Sequence, residues 1–132
     1  RKIHYKGKVL GTSKMSFGER CGTMLEIVLA SGEGPLILDQ PEDHLDATSL
    51  VKMIVPLVRK NKIKRQIIIC THNANIVVLG DSELIVALIS NNGSHVELGT
   101  LESKNTKETV CNVLEGGYEA LKKRSARIDA KV

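Results

Sequence analysis

The stretch "GPLILDQPEDHLD", residues 34–46, is an apolar run that ends abruptly in acid. Leu36, Ile37 and Leu38 read as a short strand, and an apolar strand without alternation is the pattern of a parallel sheet covered on both faces. The strand delivers Asp39 to its own tip. A carboxylate there is a hard oxygen ligand that suits magnesium when a substrate phosphate supplies further ligands. The next residue is Gln40, an amide where hydrolysis would favour a second carboxylate.

Working outward, "ATSLVKMIVPLVRK" (47–60) predicts a helix with Leu50, Ile54, Leu57 and Val58 on one side, kinked or displaced by Pro56. "RQIIIC" (65–70) predicts a second buried strand, ending at Thr71-His72. Upstream, "SFGE" (16–19) has the capping-box pattern. It opens a helix through Met24, Leu25, Ile27 and Val28 that stops at Ser31-Gly32. "RKIHYKGKVLGT" (1–12) reads as a short strand and a turn, and "NIVVLGD" (75–81) as one short helix. "ELIVALIS" and "SHVELGT" read as strands joined by "NNG", a sound hairpin turn. The tail from 105 to 128 divides into two helical pieces at Gly116-Gly117. Strands and helices in alternation predict an α/β fold, with mainly parallel core strands, an antiparallel edge hairpin and flanking helices.

At 132 residues the chain suits one domain, and 42% apolar content supplies a core. That core is aliphatic, because Phe17 is the only Phe and Trp is absent. No apolar run reaches the roughly 20 residues that span a bilayer, and the start lacks a signal-peptide pattern. A chain that begins with Arg1 is expected to be processed or excised from something longer. Cys21, Cys70 and Cys111 are dispersed, which excludes a CxxC zinc pattern and fits a reduced, cytoplasmic setting. His4, His44, His72 and His95 are equally scattered. The net charge of +4 lies largely in two end clusters, Arg1, Lys2, Lys6 and Lys8, and Lys122, Lys123, Arg124 and Arg127. Solvated termini explain it better than a nucleic-acid surface.

In an open parallel sheet, ligands gather at the carboxyl ends of the strands. Two strands here end in reactive groups, Asp39 on one and Thr71-His72 on the other. The helix at Ser16 adds unpaired amides and a positive dipole end, both suited to an anion, and Gly18 lets a phosphate approach the backbone. Each feature alone has a plainer reading: Asp39 capping a turn, His72 as a satisfied polar residue, Ser16 and Glu19 as a capping box and nothing more.

Their order narrows the choice. "MSFGER", a helix, "PLILDQPEDHLD", a helix and "QIIICTHNAN" together resemble the C-terminal half of an ABC-type ATPase head, nearest the SMC group of DNA-repair ATPases. "MSFGE" (15–19) resembles the LSGGQ or LSGGE signature, "LILD" the Walker B strand, Leu45-Asp46 the D-loop and His72 the switch histidine. "DQPEDHLD", "THNANIVVLGD" and "VLEGGYEALKKR" are similar to the end of TrlF-like bacterial ATPases. The resemblance implies a partial P-loop NTPase fold, with a signature helix at 15–31, Walker B and D-loop at 35–46, the switch histidine segment at 70–79 and C-terminal helices at 104–128. It implies ATP and Mg²⁺ as ligands: Asp39 on magnesium, His72 on the γ-phosphate, and Asp46 communicating across a dimer. Ser16, Phe17, Gly18 and Glu19 would face a nucleotide held by a second head. The implied partners are a second copy, an upstream lobe of the same protein and DNA, with no membrane.

Two departures qualify this. No GxxxxGK[ST] phosphate loop occurs; in "GKVLGTSK" Lys14 falls too late. The chain is therefore expected to supply only the C-terminal lobe and to be inactive alone. Gln40 stands where most ABC ATPases carry the glutamate that polarises water, so slow hydrolysis is expected. Glu42 and Asp43 can supply a carboxylate if the turn directs them inward. Two other readings remain open. One is a non-catalytic dimerisation or nucleic-acid-binding module. The other is a metal-dependent nuclease using Asp39, Glu42, Asp43 and Asp46.

Overall fold

A computed structural model of the chain describes residues 2–5, 8–11, 15–90 and 93–128, with side chains from residue 15 onward. The chain divides into two compact units, Arg1–Thr71 and His72–Val132.

In the first unit, β1 (Lys2–Tyr5) and β2 (Lys8–Gly11) pair antiparallel, two strands where the sequence suggests one; the connecting residues lie outside the described ones. Helix α1 (Phe17–Ala30) begins at the N-cap Ser16 and ends at Ser31, as the capping box and Ser31-Gly32 predict. Gly32 takes φ +76°, a left-handed conformation that glycine adopts without steric cost. The buried positions of α1 are Gly22 and Leu29, whereas Met24 and Val28 are exposed, so the apolar stripe faces inward one position away from the predicted one. Arg65 fastens the far end of α1: its guanidinium donates to the carbonyls of Val28 (3.0 Å), Ser31 and Gly32 (3.1 Å). Those carbonyls belong to the last turn and cap of α1, where intrahelical donors run out.

Strand β3 (Leu36–Asp39) pairs in parallel with β4 (Ile67–Cys70), in the register Leu36↔Ile67 to Asp39↔Cys70. Between them run α2 (Ala47–Ser49), a π-helical stretch (Leu50–Ile54) and α3 (Val55–Lys62). Of the two outcomes expected for Pro56, the displaced boundary is found: α3 starts at Val55 with the proline in its first turn. The amide of Val55 donates to the carbonyl of Leu50, a wide turn just ahead of the proline. That widening accommodates a residue that has no N–H and crowds the preceding turn. Leu50, Ile54, Val55 and Val58 form the buried face and pack with Leu29 as an aliphatic core. Burying each of Leu29, Leu50 and Ile54 is worth about 1.5–3 kcal/mol.

The expectation that β3 and β4 are fully buried is corrected. Both alternate between half-buried and exposed, with Ile37 70% and Ile68 45% accessible. The alternation leaves one face of the pair open, and among the described residues each strand pairs only with the other, so the outer edges are unpaired as well.

The second unit carries α4 (Ala74–Leu79), β5 (Ile85–Ser90), β6 (Ser94–Gly99), α5 (Lys104–Glu115) and α6 (Tyr118–Ile128). β5 and β6 form the predicted antiparallel hairpin, in register Ile85↔Gly99 to Ser90↔Ser94; Asn91 and Asn92 of its turn lie outside the described residues. Among the described residues the hairpin forms a two-stranded sheet. Helix α5 packs on it, with Ile85, Thr106 and Val110 buried, and leaves Val86, Leu88, Val96 and Leu98 exposed. Gly116 and Gly117, at φ +74° and +89°, divide α5 from α6 as predicted. No described helix is long and apolar enough to cross a membrane.

Candidate functional site

The parallel register places Asp39 beside Cys70 at the strand tips, and the amide of Gln40 donates to the Cys70 carbonyl at 2.9 Å, extending the ladder by one step. The chain then turns sharply. Gln40 has φ +44° and His44 φ +65°, left-handed conformations that are uncommon for side-chain-bearing residues. Between them Pro41 and Glu42 are buried, while Asp43 is exposed. The amides of Asp43 and Leu45 close the turn on the carbonyls of Gln40 (3.1 Å) and Glu42 (3.0 Å).

Of the two carboxylates that can replace a glutamate at position 40, the turn directs Glu42 inward and Asp43 outward. Glu42 is 6% exposed, and its Oε1 accepts a hydrogen bond from the Thr71 hydroxyl. A residue of the turn is thereby tied to the end of the neighbouring strand. Asp39 and Gln40 are exposed at the tip.

Asp46 is the N-cap of α2. Its Oδ1 accepts the Ser49 amide at 2.9 Å and its Oδ2 the Ser49 hydroxyl at 2.6 Å. These bonds, the hydroxyl first, hold its carboxyl below the usual aspartate range. Ser16 and Glu19 form the predicted capping box: the Ser16 amide donates to Glu19 Oε2 at 2.8 Å and the Glu19 amide to Ser16 Oγ at 3.2 Å. The Ser16 backbone, then its side chain, lowers the Glu19 pKa. The box places a carboxylate against the positive end of α1, so an anion arriving there meets the amides of Phe17 and Gly18 beside an existing negative charge.

The first turn of α1 and the turn at 41–44 touch. The Phe17 and His44 rings meet edge to face, with centroids 4.7 Å apart at 89°, and the Arg20 guanidinium lies 5.7 Å from the Phe17 ring centre. A Cβ on Gly18 would fall 2.9 Å from the His44 carbonyl oxygen, which is why glycine is required there. Nothing in the sequence signals this contact between residues so far apart, nor the Thr71–Glu42 bond. His72 is exposed and opens the second unit, directly ahead of Asn73, whose side chain caps α4.

Among the described residues no three His, Cys, Asp or Glu side chains converge as a metal-holding group. Asp39, Glu42, Asp43 and Asp46 therefore do not form the cluster that a carboxylate-bound two-metal nuclease needs. A single exposed carboxylate at a strand tip does fit magnesium, which keeps several waters and takes phosphate oxygens as ligands.

No family model matches the chain, and no curated protein matches it. A solved SMC ATPase structure, from work on ATP-driven dimerisation and DNA-stimulated activation of SMC ATPases, is similar to it. That structure is 26% identical with a TM-score of 0.54, and the match covers 76% of this chain. The fold is SMC-ATPase-like. The chain spans 63% of the solved SMC ATPase chain.

Proposed function

We propose that the chain is the C-terminal lobe of an ABC-type ATPase head and acts in ATP-driven, DNA-associated head dimerisation. The observation that carries this is the strand tip: an exposed Asp39 followed by a turn that buries Glu42 against Thr71, within an SMC-ATPase-like fold. In this reading Asp39 holds Mg²⁺ through its carboxylate, and His72 contacts the γ-phosphate of ATP. Ser16, Phe17, Gly18 and Glu19, with Asp46, face the nucleotide of a second head. The phosphate loop absent from this sequence comes from an upstream lobe of the same protein, so this chain alone is inactive.

Phosphoryl transfer relies on positioning and on stabilising charge on the phosphate oxygens. Bound magnesium would neutralise those oxygens. Gln40 orients the attacking water through its amide but takes no proton from it. Glu42, turned inward, supplies the carboxylate that Gln40 lacks, and the Thr71 hydroxyl fixes its orientation.

Turnover of ATP by the intact protein and its Glu42→Gln and Gln40→Glu variants tests the assignment. Glu42→Gln is expected to lower the rate by about 10²–10⁴, the usual contribution of general-base help. Gln40→Glu is expected to keep or raise a slow rate. A wild-type rate in folded Glu42→Gln, or a brisk rate destroyed by Gln40→Glu, would refute these roles.

A further inference from the structure

Two contacts join the start of α1 to the acidic turn, and a third observation concerns the turn itself. The Phe17 and His44 rings meet edge to face, the Gly18 backbone runs against the His44 carbonyl, and His44 is held at φ +65°. The ring contact lies at the surface: Phe17 is 53% exposed and His44 is exposed. An aromatic pair this accessible adds little to the core, so its consequence is geometric. It fixes the first turn of α1 relative to residues 41–44, and through Gln40 and Glu42 relative to the β3 tip.

We propose that Phe17 and His44 are positioning residues that make the first turn of α1 and the 41–44 turn open and close as one piece. The inference deepens the ATPase reading, on which only its consequence rests: a nucleotide held at Ser16–Gly18 sets the placement of Asp39, Gln40 and Glu42 in the same chain. The ring pair is the adjustable part of the joint. The Gly18–His44 approach sets how near the two turns can come, and the rings determine whether they stay there. Phe17 stands at the third position of "MSFGE", where the LSGGE form has glycine and no ring.

The test is hydrogen exchange of the intact protein without nucleotide, so that its outcome is independent of ATP binding. The variants are Phe17→Ala, His44→Asn and their combination; asparagine tolerates the left-handed backbone while removing the ring. Each single variant is expected to speed amide exchange by about 2–10-fold in both segments, 17–22 and 41–46, the range an aromatic pair contributes. The double variant is expected to go no further than the stronger single one. Phe17→Tyr, which keeps a ring at an ordinary helical position, is expected to retain slow exchange in both. Effects confined to the mutated segment, or effects that multiply in the double variant, would overturn the proposal. Failure of ATP hydrolysis with coupled exchange would instead remove the ATPase reading and leave the coupling standing.

Discussion

Replacing Gly18 by alanine places a methyl carbon 2.9 Å from the His44 carbonyl oxygen, closer than such carbons ordinarily come to backbone. At an unobstructed helical position the same change stabilises by about 0.5–1 kcal/mol, because glycine loses more backbone freedom on folding. Here the obstacle is main chain and cannot swing aside like a side-chain end. Relief requires the first turn of α1 to part from the 41–44 turn, and overpacking of this kind costs about 1–3 kcal/mol. The two effects together predict a net destabilisation of up to about 2.5 kcal/mol. Gly34 is the internal reference, since a Cβ there meets nothing within 4 Å and its φ is not left-handed. Gly34→Ala is expected to match or exceed the wild type by up to about 1 kcal/mol. Urea denaturation of the three proteins, followed by far-ultraviolet circular dichroism, reads the difference. If Gly18→Ala proves as stable as Gly34→Ala, the close approach of the two turns is wrong.

The other predictions concern the core, the buried carboxylate, the helix caps and Arg65. Ile54→Ala empties a fully buried site on the π-helical stretch and is expected to cost about 2–5 kcal/mol in denaturant unfolding; a loss under 1 kcal/mol would contradict its core placement. Thr71→Val removes the donor to Glu42 and is expected to cost about 1–3 kcal/mol, whereas Thr71→Ser should be nearly neutral; equal effects would argue against the hydrogen bond. Glu19 and Asp46 both have lowered folded pKa values, so their stabilisation is complete above the ordinary carboxylate pKa of about 4. It is lost as the pH falls through the lower folded values. Glu19→Gln combined with Asp46→Asn should therefore flatten the acid limb of the stability profile, and an unchanged limb would show that the caps do not titrate as described. Arg65→Ala strips the donors from three carbonyls at the end of α1 and should speed amide exchange in residues 26–30, with little change at 17–20.

Local chemistry was legible in the sequence where a short segment decides its own conformation. The Ser16–Glu19 box, the Ser31-Gly32 stop, the Gly116-Gly117 break and the hairpin pairing each depend on a few neighbouring residues, and each is found as predicted. Burial was less legible. "LIL" and "III" read as strands covered on both faces, but coverage depends on what packs against them, and Ile37 and Ile68 stay open. Pro56 was read as a kink or a displaced boundary, and the boundary does fall there; the π-turn ahead of it is a cooperative adjustment of the preceding residues, with no signature of its own. At the candidate site, the sequence supplied Asp39, Glu42 and the α1 cap. It gave no sign that Glu42 is held by Thr71 or Phe17 by His44, because both contacts form only once distant elements pack.

In the function proposed above, Asp39 is the magnesium ligand of an ATP-hydrolysing head. Phosphate release from Mg²⁺-ATP by the intact protein, compared with its Asp39→Asn variant, tests it most directly. Slow but measurable turnover is expected in the wild type and a loss of at least about 10²-fold in the variant, the scale of removing one charge-stabilising group. Equal turnover in the two proteins, with the variant folded, would contradict it.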